Sequence, residues 1–90
     1  MALATGHAET ARAEYEQALA LALHVRGQVG PSLPVDARIA LTHLRLAGVA
    51  AGPAAAHEHV TRAVHYAHAS RAPAVIAATE AAAAPVAAGR

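Results

Sequence analysis

One pattern occurs twice in this chain, 45 positions apart: Ala11, Tyr15, Ala18, Leu19 and Leu21 are echoed by Ala56, Val60, Ala63, Val64 and Tyr66. In each copy a small residue is followed four positions on by a bulky one, three further by alanine, and then at once by an aliphatic. A residue of an α-helix turns the chain by about 100°, so each copy gathers on roughly one face. Small side chains on that face admit a second helix at close range, and the bulky ones fill the space between. A recurrence of this length is the mark of helical hairpins stacked on one another.

The chain has 90 residues, room for one small domain near the size where burying enough surface becomes difficult. Its apolar residues are mostly alanine; phenylalanine and tryptophan are absent and only Tyr15 and Tyr66 are aromatic. Alanine favours helix more than any other residue but buries little area. Strong helices around a thin core are expected, and with them a need for a partner or a second copy. The net charge of +1, with the arginines dispersed, argues against a nucleic-acid surface. Without cysteine, disulfides and thiolate metal sites are excluded. The apolar run Leu19 to Leu23 is bracketed by Glu14, Glu16, His24 and Arg26 and is too short to span a bilayer. No basic-then-apolar leader is read at the start, and a cytoplasmic protein without membrane contact is expected.

The punctuation predicts four helices in a single domain over 1–90. The first covers about 7–26 and stops at Gly27, a residue suited to the left-handed conformation that ends helices. Residues from Gly27 to Pro34 form a loop. The second covers about 34–51, with Pro34 and Asp36 in its first turn, where a fixed φ and a negative charge both help. Gly52-Pro53 ends it and starts the third, 53–70; so short a link sets these two helices antiparallel. Pro73 opens a short fourth helix, 73–84, and 85–90 is expected to fray. The second helix carries two apolar stripes, Val35, Ile39, Leu46 and Val49 on one side and Leu41, Leu44 and Gly48 on another. A surface helix needs one stripe. Two suit a helix sandwiched in an array, or the inner helix of a plain bundle.

These residues resemble a tetratricopeptide repeat protein with the longer loops of the kinesin light chain type. Ala11-x3-Tyr15-x2-Ala18-Leu19 is similar to the second helix of such a repeat. Pro34 and Ala37 follow in the loop position, Leu41, Leu44 and Gly52 match a first helix and its turn, and Ala56, Val60 and Ala63 match the next second helix. The likeness covers about residues 8 to 70. It implies an all-α fold of antiparallel helical hairpins, one and a half to two repeats, with three long helices and a short C-terminal one. It also implies a concave groove for a peptide or protein segment, lined here by Ile39, Thr42, His43, Leu46 and Val49. The Lys and Asn with which chaperone-binding members hold a peptide carboxylate have no counterpart in this chain.

Histidine is the conspicuous polar residue, with seven copies. His57, Thr61, His65 and His68 form a band beside the apolar face of the third helix. His57 and His68 lie eleven positions apart, about 16 Å along a helix, too far to share an ion. His65 and His68 make at most half of a metal site, so solvated or hydrogen-bonded imidazoles are the better reading and no metal or cofactor is expected. No nucleophile motif, phosphate loop or carboxylate pair is found, and no catalytic residue is assigned. Arg38 and Arg45 lie seven apart on one side of the second helix and suit the carboxylates of an acidic partner. Three functions are consistent with these features. The first is a protein-binding helical module that also self-associates. The second is a helical homo-oligomer with a structural or regulatory role, and the third an enzyme or metal protein using the histidine band. The first is preferred on the repeat and the two-sided second helix, and it predicts that Leu46→Asp and Val49→Asp remove partner capture while leaving helicity.

Overall fold

The computed structural model describes residues 2–89, with side chains described for residues 7–84. Four α-helices and no strands are found among the described residues, so the chain is all-α: α1 (Ala2–Val29), α2 (Leu33–Gly48), α3 (Pro53–Ser70) and α4 (Pro73–Gly89). The helix α1 passes through Gly27 and stops at Gly30, which takes the left-handed conformation (φ +83°) while its N–H bonds the Arg26 carbonyl at 2.8 Å. A glycine inside a helix costs the chain only part of a kcal/mol, so a long alanine-rich helix runs on to the next glycine before turning. At the other end of the loop, Ser32 sits at the N-cap in extended conformation and Pro34 lies in the first turn of α2.

The end of α2 comes three residues earlier than the sequence suggests. Val49 and Ala50 bond back to Leu46 and Ala47, tightening the last turn, and the Arg12 Nε of α1 donates to the freed Val49 carbonyl at 2.9 Å. Gly52 then serves as the extended N-cap of α3, with Pro53 in its first turn. At the far end of α3, Arg71 adopts the left-handed conformation (φ 60°), and the Ser70 hydroxyl donates to the Ala67 carbonyl while accepting from the Ala72 N–H. That tight cap turns the chain directly into α4, a helix of 17 residues, no shorter than α2. This helix also runs past the expected end at 84 to Gly89, so the backbone of 85–89, expected to fray, is helical; residue 90 lies outside the described residues.

Among the described residues α2 packs against all three other helices, α3 against α2 and α4, and the α1 backbone against α2, with its Arg26 side chain reaching Tyr66 of α3. The core follows from this. Ile39, Ala40 and Leu46 of α2 and Val60, Ala63 and Ala67 of α3 form it, with Ala22 the buried apolar residue of α1 among those described. Alanine supplies four of those seven side chains, which keeps the helices close and the buried area small.

Candidate functional site

Helix α1 packs on α2, and its buried and half-buried Ala8, Ala11, Tyr15, Leu19 and Ala22 have the spacing of one helical face. One flank of this contact is left open as a groove. Tyr15, Ala18, Leu21 and Val25 form its α1 wall, and Pro34, Arg38, Leu41 and Arg45 its α2 wall. It holds two cavities, one of about 360 Å³ beside Tyr15, Leu41 and Arg45 and one of about 250 Å³ beside Leu21, Val25 and Val35. Ala18 and Arg38 line both, so the cavities form one continuous trough. Its apolar rim is in water: Leu21 is 65% exposed and Leu41 37%. Thr42 reaches the trough too, but its hydroxyl is spent on the Arg38 carbonyl at 2.7 Å.

Of the residues expected to line a peptide groove, the structure places four in the interior. Ile39, Leu46, His43 and Thr42 have between 0% and 5% of their surface exposed, and only Val49 is half-buried. The reason is that α3 packs on the α2 face that an array would leave concave. Leu46 is therefore a core residue, and Leu46→Asp would bury a charge rather than test a binding surface. Arg38 and Arg45, by contrast, stand exposed on the rim of the trough, and among the described residues neither has a carboxylate within 4 Å.

A polar chain starts within the α1–α2 contact. The Arg26 Nε donates to Asp36 Oδ1 at 2.6 Å, and Asp36 is fully buried with its second oxygen lacking a protein partner. That hydrogen bond, with the charge of Asp36, holds the Arg26 guanidinium protonated above its ordinary pKa. The guanidinium lies 5.3 Å from the Tyr66 ring centre, Tyr66 stacks on His43 at 6.0 Å, and the His43 and His59 Nδ1 atoms are 3.0 Å apart. One of these two nitrogens must carry the proton and the other accept it. Burial pushes the His43 pKa down to about 4, and the neighbouring His59 and Arg62 push the same way. The chain of contacts ties α1, α2 and α3 together.

Sequence reasoning gave Asp36 a helix-start role and gave no partner to His43 or Tyr66. Asp36 does sit in the first turn of α2, but its side chain faces inward to Arg26. The available signal was an acid at a helix start that stands ten residues from an arginine across a loop. His65 meets the edge of Tyr66 at 5.1 Å, and His68 reaches Glu80 of α4, Nε2 to Oε2 at 2.9 Å, an acid that the sequence did not place beside it. Among the described residues no group of three His, Asp or Glu side chains is arranged to hold a metal ion.

No protein-family model matches the chain, and neither a curated protein nor a solved structure is significantly similar to it. Its function is argued from its own geometry. The trough presents apolar surface, two guanidinium groups and a phenol, which suits binding of protein surface rather than proton transfer. No helix among the described residues is long and apolar enough to cross a membrane.

Proposed function

We propose that this chain is a small helical protein-interaction module of the tetratricopeptide type and that its docking surface is the trough between α1 and α2. The observation that carries the reading is the trough itself: a continuous channel, apolar around Leu21, Val25 and Val35 and mixed around Tyr15, Leu41 and Thr42, with two carboxylate-free arginines on its rim. A large apolar residue left in water beside concave space gains free energy when a partner covers it, about 25 cal/mol per Å². The guanidinium groups add orientation, because each binds carboxylate in a fixed fork. The hairpin-repeat component is supported by α2 lying against both α3 and α4, as the first helix of a unit lies against its own partner and the following unit. This places the binding surface one helix away from the concave face expected from the repeat resemblance. A cytoplasmic setting goes with the proposal.

The test is a peptide-library selection on the chain immobilised at low density, so that copies cannot meet. Peptides enriched on the native chain and lost on Leu41→Glu, which alters an exposed wall residue, would support the reading. A library that yields no Leu41-dependent binder would overturn it.

A further inference from the structure

We propose that two copies associate about a two-fold axis with their α1 helices antiparallel, Leu21 of each entering the other's trough and Glu14 of each meeting Arg38 of the other. This inference rests on the reading of the trough as a docking surface and names what docks there.

Exposed apolar surface supports it first. Much of the free apolar surface lies on α1, whose backbone packs on α2 alone and which carries Leu21 and Leu23 outward.

Charge pattern decides between a second copy and a foreign acidic helix. Glu14, Ala18, Leu21 and Val25 follow one another at intervals of four, three and four, so they form one stripe on α1. Glu14 is exposed, and among the described residues it has no cation within 4 Å. This side of the molecule therefore carries an exposed carboxylate on the same α1 stripe as Ala18 and Leu21, and unpaired guanidiniums on the α2 rim. An acidic partner helix would satisfy Arg38 but would press its charge against Glu14. A second copy satisfies both.

Geometry fixes the register. An axis through Ala18, where small side chains allow a close crossing, sets Glu14 opposite the partner's Ala22. Arg38 lines the smaller cavity together with Ala22, so Glu14 arrives beside the partner's Arg38. The same axis sets Leu21 opposite the partner's Tyr15, at the larger cavity. Two-fold symmetry makes every such contact occur twice.

The experiment is molar mass by light scattering on a sizing column, with circular dichroism on each peak. The native chain is expected to run at twice its monomer mass. Glu14→Arg and Arg38→Glu each alter an exposed side chain, so both should stay helical while dissociating to monomers, with affinity lowered by tenfold or more. Mixing the two variants should restore a dimer, because the arginine introduced in one then meets the glutamate introduced in the other. A native chain that is monomeric, or a dimer indifferent to both substitutions and to Leu21→Glu, overturns the proposal. Groove-dependent peptides recovered on a monomeric native chain would overturn the dimer and leave the interaction module standing. A dimer behaving as described, with no peptide recovered, would sustain the inference and overturn the wider reading.

Discussion

Lowering the pH should destabilise this protein through His43, and the size of the effect follows from where that ring sits. The imidazole is 3% exposed and pushed down to a pKa of about 4 by burial, with His59 and Arg62 adding to the effect. Its ordinary value is 6.5. As pH falls, the unfolded chain takes the proton first, so stability is full above the unfolded pKa and declines across the window from 6.5 to 4. Linkage gives a loss of about 2 kcal/mol between pH 7 and pH 5 from this group alone. For a domain of this size that is roughly 10 °C in melting temperature. The assay is thermal and urea unfolding followed by far-UV circular dichroism across this range, at one fixed protein concentration because self-association would shift the midpoint. His43→Leu is the control. The variant loses the interior hydrogen bond to His59, a half-exposed ring that can turn to water, and it should lose the steep acid limb that His43 contributes. Equal pH slopes in the native chain and in His43→Leu would refute the assignment of the low pKa to this ring.

Two further outcomes test the fold. Gly27→Ala should raise stability by about 0.5–1 kcal/mol, since the position is mid-helix and an added Cβ meets nothing within 4 Å. Gly30→Ala, equally free of contacts but at φ +83°, should lower it by about 1 kcal/mol; urea midpoints check both signs. Arg26→Met should destabilise the chain by stranding the buried Asp36 carboxylate, and adding Asp36→Leu should recover part of the loss because no charge is then left inside. A double variant less stable than Arg26→Met would show that the pair is not the source.

Helix content was legible because it depends on local rules. Alanine abundance, the glycines and the prolines Pro34, Pro53 and Pro73 act over one or two turns, and α3 and α4 begin at Pro53 and Pro73. Gly27 misled because a glycine states only that a left-handed turn is permitted. It is Gly30, set before Pro31 where helical backbone is disfavoured, that takes that turn, its N–H bonded to the Arg26 carbonyl. The arginines Arg38 and Arg45 were placed together on one exposed side by helical periodicity alone, and the structure sets both on the trough.

The side of α2 that faces inward was decided only by tertiary packing. Its two apolar stripes were visible in the sequence, but periodicity marks a stripe without saying which neighbour covers it. Packing of α3 sent Ile39, His43 and Leu46 to the interior and left Leu41 beside α1 in water. The same packing brought Arg26 to Asp36, His43 to His59 and His68 to Glu80 from separate helices. Sequence determined that this chain forms helices and where several of them begin, because those choices are settled by neighbours along the chain. Which polar side chains meet, and which apolar face stays open, was settled by helices separated in sequence and pressed together in space.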